Sequence, residues 1–236
     1  MIRQGYRVPE AGISCLSRRA VAVVLPLNFV VMQYFKLIGY ALLAALYFTS
    51  CDGISDDDEV DENGLIPDVR QFVSDAVIDG LKELGHPIYG GVHPPDITGT
   101  FDMAPRFITG SNLPGDTVPM GTEAVPITAI FADTTENLNI DFSYHLPGGQ
   151  VIPASYSVIV GSDCKFTVFS VFDLYSNSGY LNSDLMVTSG CLTEEGIEDA
   201  VVSYVLLDDP NQRYNGERLP GQGRIITEGD GLAERQ

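Results

Sequence analysis

Basic residues are scarce in this chain. Its 236 residues include 13 lysines and arginines against 32 aspartates and glutamates, so the formal net charge is −19. A surface with this excess of negative charge repels phosphate backbones, and the composition therefore argues against binding to nucleic acid. The same charge also disfavours direct electrostatic adsorption on anionic lipid.

Residues and motifs that usually build catalytic and metal centres are few. The three histidines, His86, His93 and His145, do not have the spacing of a metal-ligand set, so we expect no metal and no cofactor. The chain contains no Gly-x-Ser-x-Gly motif and no phosphate-binding glycine-rich loop. Acidic residues occur throughout, so no pair is singled out as acid and base. We therefore predict that the protein is not an enzyme.

Long apolar runs are confined to the N-terminal region. Residues 37–48 form an uncharged, mainly apolar run, which is shorter than the about 20 residues that cross a bilayer. Lys36 precedes this run, residues 49–50 are small, and Cys51 follows, which is the order of a secretory signal. A second apolar run, residues 20–31, would lengthen the segment into a spanning anchor, and this alternative stays open.

Residues 32–51 resemble the signal peptide of bacterial lipoproteins, which ends in a lipobox. The resemblance implies that the chain is cut before Cys51 and that a diacylglycerol is attached to the thiol of this residue. The acidic run over residues 52–62 is similar to the export signal of surface lipoproteins in Bacteroidota-type bacteria. The resemblance thus implies an outer-membrane protein that is held by its N-terminal lipid and exposed at the cell surface.

Processing at Cys51 would divide the chain into four parts. We interpret residues 1–31 as an upstream extension, residues 32–50 as the signal peptide, residues 51–64 as an acidic tether and residues 65–236 as one folded domain. Five basic residues and one acidic residue precede Cys51, which leaves 8 basic and 31 acidic residues and a net charge of −23. The last part has about 170 residues, enough for one hydrophobic core.

One amphipathic helix is predicted over residues 66–84. Apolar residues recur there at spacings of three and four, while polar and charged residues occupy the opposite face. Pro67 suits the first helical position, and Gly85 and Pro87 are typical of a helix end. A helix with a single apolar face is expected to pack against the rest of the domain.

Beyond residue 88 the pattern is that of short strands and turns. Residues 138–146 alternate strictly between apolar and polar side chains, which is typical of a strand with one buried face. We predict about eight strands, over residues 97–108, 125–132, 138–146, 154–160, 164–175, 181–191, 200–207 and 224–227. No helical pattern separates these runs, so the expected fold is all-β and mainly antiparallel.

Eight short antiparallel strands fit an up-and-down barrel, with a β-sandwich as the alternative. The segment Gly99-Thr100-Phe101 resembles the Gly-x-Trp motif on the first strand of lipocalin-like barrels, with Phe in place of Trp. In that family an arginine of the last strand lies over the Trp at the closed end. The resemblance implies that Arg224 lies over Phe101, so Gly99, Phe101 and Arg224 are the expected closure residues.

Two functions fit this architecture. In the first, the barrel binds a small apolar or amphipathic ligand, and five aromatic residues would line the site: Phe142, Tyr144, Tyr156, Phe166 and Phe172. Each of these side chains would equally fit a plain core. In the second, the domain is a non-enzymatic surface lipoprotein that binds protein or glycan through its loops and sheet faces. A cavity of several hundred cubic ångströms would favour the first function.

Only two cysteines, Cys164 and Cys191, remain once Cys51 is lipidated and Cys15 is removed or never made. Outside the cytosol such a pair is expected to be oxidised. A hairpin closed between residues 175 and 180 would place Cys164 directly opposite Cys191, within reach of a disulfide. We therefore predict a Cys164–Cys191 bridge that stabilises the domain by about 3 kcal/mol. Two reduced, buried cysteines are the alternative.

Overall fold

Strands dominate the computed structural model, which describes residues 60–135, 137–176, 179–211, 214 and 216–236. In chain order the elements are α1 (Pro67–Arg70), α2 (Asp75–Glu83), β1 (Val92–His93), β2 (Gly99–Met103), β3 (Arg106–Ser111), β4 (Glu123–Ala124), β5 (Ile127–Ala132), β6 (Asp141–His145), β7 (Val151–Pro153), β8 (Tyr156–Ser162), β9 (Lys165–Ser176), β10 (Gly179–Leu192), β11 (Gly196–Asp208), β12 (Gly223–Glu228) and β13 (Leu232–Arg235). The all-β prediction is confirmed. Four short strands, β1, β4, β7 and β13, lie outside the predicted runs.

The strands within the described ranges form one sheet of 13 members. Its main path runs β1-β8-β9-β10-β11-β13-β2-β5-β6-β7, and a branch of β12, β3 and β4 leaves it at β11. The β1–β8 pair is parallel, and its neighbour β8–β9 is antiparallel, so the sheet is mixed. The strands do not separate into the two sheets that a β-sandwich needs.

The path of paired strands is not closed into a barrel. Strands β1 and β7 stand at its two ends, with one partner each. A single isolated bridge between Asn139 and Val158 joins the segment before β6 to β8, and backbone hydrogen bonds of 3.1 and 2.9 Å flank it. The two halves of the sheet therefore meet at this point without a continuous ladder.

Two hydrophobic cores lie on opposite faces of strands β8 to β11. Phe166 and Val168 of β9 belong to the first core, while Phe169 and Val171 of the same strand belong to the second. Because both faces of β9 are covered, apolar side chains occur on both faces of this strand and do not alternate strictly with polar ones. The first core also contains residues of β2, β5, β10, β11 and β13, whereas the helices cover the second.

The predicted single helix is in fact two helices. α1 ends at Arg70, and Ser74 before α2 has an extended backbone with φ −77° and ψ 165°. The break lets Val73 reach the second core, where it is fully buried. Arg70 braces the corner, because its guanidinium donates to the Val73 carbonyl at 3.2 Å and pairs with Asp75. The prediction of one continuous helix is therefore wrong.

The loop between β11 and β12 fixes the position of α2. A Cβ on Gly80 would lie 2.2 Å from the Gly221 carbonyl oxygen, so only glycine permits this close approach. The Asn112 side chain spans the contact by donating to the carbonyls of Gly80 at 3.3 Å and Gly221 at 3.1 Å. Helix α2 is thereby attached to both the sheet and its branch.

Residues 60–64, which the sequence assigned to the tether, pack on the domain. The Asp61 carboxylate accepts the backbone N–H groups of Asn63 at 2.8 Å and Leu65 at 2.9 Å. It also forms an ion pair with Arg70 at 3.2 Å, and Val60 packs against the second core. The predicted tether is therefore too long, because Asp61 satisfies backbone groups locally and orders this turn.

The disulfide between Cys164 and Cys191 is confirmed, with Cα atoms 4.8 Å apart. The predicted register is wrong, however. Tyr180 faces Tyr175 as expected, but the pairing shifts by one residue before Asn182, so Cys191 faces Lys165. An extra residue in β10 causes this shift, as in a β-bulge. The bridge forms because Cys164 lies one residue before β9 and still reaches across to β10.

The part of the chain that the structure describes has the properties of an independent domain. From residue 60 onwards the described residues belong to one compact unit, which contains both cores. A unit with its own core is expected to fold alone. Among the residues that the structure describes, no helix is long and apolar enough to cross a membrane.

Candidate functional site

A cavity of about 560 Å³ lies between β6–β7 on one side and β9–β11 on the other. Its lining combines aromatic, aliphatic and acidic side chains with a thioether: Tyr144, Ile152, Pro153, Ala154, Ser155, Phe172, Asp173, Leu174, Asp184, Met186 and Tyr204. This volume lies within the about 300–1,000 Å³ that is typical of small-molecule sites. The cavity is therefore the candidate functional site.

Strand register brings the main lining residues to one side of the sheet. Asp184 of β10 faces Phe172 of β9, and Met186 of β10 faces Tyr204 of β11. Directly paired residues share a face, and side chains two apart on a strand share it too. All four side chains therefore point into the same space. Met186 is fully buried at the base of the cavity.

An aromatic cluster joins the cavity to the first core. The ring centroids of Tyr144 and Phe172 are 5.5 Å apart in an edge-to-face arrangement. Phe142 lies behind them, 6.2 Å from Phe172, and stacks on Phe131 at 4.8 Å. Such contacts hold rings in place beyond what burial alone achieves. The wall of the cavity is therefore built on the packed core.

Of the five predicted lining residues, the structure brings two, Tyr144 and Phe172, to the cavity. Phe142 supports them from behind, and Phe166 is fully buried in the first core. The prediction for Tyr156 is wrong, because this residue lies on the opposite face of the sheet. It packs edge-to-face on Phe72 before α2, with ring centroids 5.5 Å apart.

Two aspartates belong to the lining, and the sequence did not indicate either of them. Asp184 shares the face of Phe172, whereas Asp173 pairs with Ser183, so its side chain belongs to the opposite face of the sheet. Asp173 accepts a hydrogen bond from the Ser183 hydroxyl. Asp184 accepts from the Asn182 amide at 3.3 Å and lies 3.7 Å from the Arg218 guanidinium. Alternation along β10 would have suggested the position of Asp184 only with the correct register, which the bulge obscures.

The phenol of Tyr144 adds a hydrogen-bond donor to the lining. Burial raises the pKa of Tyr144, and the negative charge of Asp184 acts in the same direction, while Arg106 opposes it. The phenol therefore stays protonated at neutral pH and is able to donate. Together with the Asp184 carboxylate, it makes one end of the cavity polar.

The predicted closure contact involves a different arginine. The guanidinium of Arg235, on the last strand β13, lies 5.1 Å from the centre of the Phe101 ring. A Cβ on Gly99, which has φ +154°, would lie 3.4 Å from the same ring. Arg224 instead forms two hydrogen bonds of 2.8 Å to the Asp116 carboxylate. The prediction for Arg224 is wrong because β12 pairs with β3, whereas the unpredicted β13 pairs with β2.

His86 forms a buried hydrogen-bond network behind the sheet. Its Nδ1 lies 2.8 Å from the Ser203 hydroxyl, and its Nε2 lies 3.0 Å from the Ser189 hydroxyl, which also contacts Thr167. Burial lowers the pKa of His86 to about 3, so the ring is neutral. No group of three or more potential metal-binding side chains occurs in the described ranges. This histidine therefore connects α2 to the sheet through neutral hydrogen bonds.

Two ionisable residues face each other where β3 meets β12. Arg106, which is only 4% exposed, faces Glu228 across the two strands and donates to the Val125 carbonyl. Burial raises the pKa of Glu228 to about 7, and the positive charge of Arg106 opposes this shift. Both residues lie outside the cavity lining, on strands β3 and β12 of the branch.

Comparisons with known proteins give no assignment. A scan against protein families, a search of curated proteins and a search of solved structures each found no match for this chain. The function is therefore inferred from the cavity, from the residues around it and from the N-terminal sequence.

Proposed function

We propose that this protein is a cell-envelope lipoprotein whose domain binds a small apolar or amphipathic ligand without chemical change. The observation that carries the proposal is the cavity of about 560 Å³ with Tyr144, Phe172 and Met186 in its lining. Aromatic and thioether groups provide apolar contact area, and a few polar groups at one end orient a bound molecule. This combination suits a ligand with one apolar part and one polar end.

A lipocalin-like barrel is the proposed architecture around the cavity. Strands β8, β9, β10, β11, β13, β2, β5 and β6 follow one another around the sheet, and β13 pairs with β2. This is the strand order of an eight-stranded up-and-down barrel if the bridge from Asn139 to Val158 joins β6 to β8. The contact of Arg235 with Phe101 beside Gly99 supports the proposal, because it occupies the place that the resemblance assigned to Arg224.

Attachment to the outer membrane through Cys51 is the second part of the proposal. Cys51 and the signal before it lie outside the described residues, so this part rests on the sequence. The Cys164–Cys191 disulfide supports it, since such bridges persist in oxidising compartments outside the cytosol. The lipid would anchor a domain whose acidic surface does not bind anionic headgroups by itself.

Replacing Cys51 by serine should abolish lipid attachment. The full-length variant is expected to stay unprocessed or to leave the membrane fraction, because serine offers no thiol to acylate. Metabolic labelling with a fatty acid and mass spectrometry of the mature N-terminus would measure this. A Cys15→Ser variant is the matched control and should behave like the parent. Lipid on the Cys51→Ser variant, or an N-terminus at another residue, would contradict the proposal.

Filling the cavity should abolish ligand binding. Ala154 is half-buried in the lining, so an Ala154→Trp variant of the domain should occupy the space that a ligand needs. We expect the parent to bind the neutral apolar dye N-phenyl-1-naphthylamine with a rise in fluorescence. The variant should bind it about tenfold more weakly or worse, which corresponds to about 1.4 kcal/mol.

The matched control for this test is Ala76→Trp. Ala76 is exposed on α2, away from the lining residues, so its replacement should leave dye binding unchanged within about twofold. Equal binding by parent and Ala154→Trp would show that the dye binds elsewhere. A correctly folded parent that binds no dye would instead favour the other candidate function, a lipoprotein that binds protein or glycan through its surface.

A further inference from the structure

We infer that the ligand of this cavity is an uncharged amphiphile, such as an alcohol, an ester or a ketone with an apolar chain, whose oxygen accepts hydrogen bonds from two tyrosine hydroxyls. This inference rests on the proposed function and specifies the chemistry of the same site. It follows from three properties of the cavity: its charges have partners, two hydroxyls in its lining have none, and its base is apolar.

The charges of the lining are compensated. Asp184 forms an ion pair with Arg218 at 3.7 Å and accepts a hydrogen bond from the Asn182 amide at 3.3 Å. The side chain of Asp173 belongs to the opposite face of the sheet, where it accepts from the Ser183 hydroxyl. The lining residues include no lysine or arginine. A charged group of a ligand would therefore meet no free counterion in the lining.

Charges also act on the Tyr144 phenol with opposite signs. Burial raises the pKa of Tyr144 most, and the neighbouring Tyr204 adds to this effect. Of the charged groups, Arg106 lowers this pKa, and Asp184 raises it less strongly. Arg106 lies outside the lining and faces Glu228 across β3 and β12. The positive and the negative charge thus partly cancel at the phenol, which favours neither an anion nor a cation there.

Two phenols supply free hydrogen-bonding groups to the cavity. Tyr144 and Tyr204 both line it, and neither hydroxyl has a hydrogen-bond partner among the described residues. Arg224 pairs with Tyr204 across β11 and β12, but two hydrogen bonds of 2.8 Å hold its guanidinium on Asp116. Both phenols are therefore available to a ligand, and each is able to donate one hydrogen bond.

An uncharged oxygen suits these phenols better than an ion does. Tyr144 and Tyr204 are half-buried, so a group that binds at their hydroxyls loses part of its hydration. This loss costs an ion far more free energy than an uncharged group, unless a counterion compensates it. A hydroxyl, ester or carbonyl oxygen instead accepts hydrogen bonds from the phenols, which replace those it made with water.

The apolar part of the ligand has its own place. Met186 is fully buried at the base of the cavity, and Ile152 and Leu174 complete an apolar wall. A flexible thioether adapts to alkyl chains of different shape. An uncharged amphiphile would therefore place its chain over Met186 and its oxygen at the phenols.

The test compares three amphiphiles that share a ten-carbon chain and differ in charge: 1-decanol, decanoate and decyltrimethylammonium. Each is titrated, below the concentration at which it aggregates, into the domain with bound N-phenyl-1-naphthylamine, and calorimetry records direct binding. At neutral pH we expect decanol to displace the dye at a concentration about tenfold lower than either ion requires. Equal or better displacement by either ion would overturn the inference.

Two double variants separate the phenols from the general preference of an apolar cavity for uncharged molecules. Tyr144→Phe with Tyr204→Phe removes both hydroxyls and keeps the rings, so the affinity for decanol should fall about tenfold, with dye binding unchanged within about twofold. Tyr156→Phe with Tyr175→Phe removes two phenols from exposed positions outside the lining and should leave decanol binding as it is. An undiminished affinity for decanol in the first variant would overturn the inference.

The failure of the inference and that of the proposed function are distinguishable. Dye binding without a preference for decanol, or with a decanol affinity that the first double variant retains, would overturn only the polar chemistry of the ligand. Absence of binding by the dye and by all three amphiphiles, in a domain with a native circular dichroism spectrum, would overturn the cavity as a ligand site and the inference with it.

Discussion

Replacing Leu81 by alanine should lower the free energy of unfolding of the domain by about 3–5 kcal/mol. Leu81 has 0% exposure and lies on α2 in the second core, together with Phe169, Val187 and Val205 of the sheet. Truncating its side chain removes apolar contact and leaves a cavity, because the strands beneath it belong to a paired sheet that cannot close the gap. The loss therefore falls in the upper part of the usual range.

Leu84 provides the matched control, since it carries the same side chain at the end of the same helix. It is only partly buried against the second core, so Leu84→Ala should lower the free energy of unfolding by about 1–2 kcal/mol. Urea unfolding followed by far-ultraviolet circular dichroism suits this measurement, because the chain has no tryptophan. A loss below about 0.5 kcal/mol at Leu81 would show that α2 does not stabilise the sheet.

Acid should destabilise the domain through His86. Burial holds the pKa of His86 at about 3 in the folded state, against 6.5 for an ordinary histidine. Below pH 6.5 the unfolded chain therefore binds one more proton than the folded one at this site, so its contribution to stability is complete above pH 6.5 and is lost as the pH falls towards 3. The expected slope is about 1.4 kcal/mol per pH unit, or about 3 kcal/mol between pH 7 and pH 4.

A His86→Gln variant isolates this effect from the titration of the carboxylates. Glutamine retains hydrogen-bonding groups for Ser189 and Ser203 but takes up no proton. The parent should lose about 3 kcal/mol more than the variant between pH 7 and pH 4. Equal losses in the parent and His86→Gln would contradict this prediction.

A direct measurement remains informative even if His86→Gln fails to fold. The imidazole carbon-bound protons of the parent report protonation in nuclear magnetic resonance spectra. We expect the His86 signals to keep their neutral positions down to the onset of acid unfolding. Titration of His86 with a midpoint near 6.5 in the folded state would refute the buried, neutral network.

The sequence by itself determined most of the secondary structure. Strict alternation over residues 138–146 and turn residues between apolar runs are local patterns, and strands occur in each predicted run. The predicted region 97–108 contains β2 and β3, with a cis peptide bond between Ala104 and Pro105. The pairing of Cys164 with Cys191 was also predictable, because few cysteines were left to choose from. The strands depend on residues that are neighbours along the chain, and the disulfide was predictable because the number of cysteines is small.

The composition of the cavity could be predicted only in part. Tyr144 and Phe172 were predicted to line it, because aromatic residues often face the interior when apolar and polar residues alternate along a strand. Asp184 was not predicted, since one inserted residue before Asn182 turns Asp184, and not Ser183, towards Phe172. A shift of one residue exchanges the two faces of a strand, and local sequence does not specify such a bulge.

The long-range arrangement was decided only by the tertiary structure. Arg224 and Arg235 both lie near the C-terminus, but which of them contacts Phe101 depends on which strand pairs with β2. Likewise, His86 finds Ser203 more than 100 positions away, at a separation of 117 residues. The sequence specifies which segments form strands, because alternation and turns are local. Strand order, bulges and buried polar partners result from packing between distant segments, whose free energy no local pattern contains.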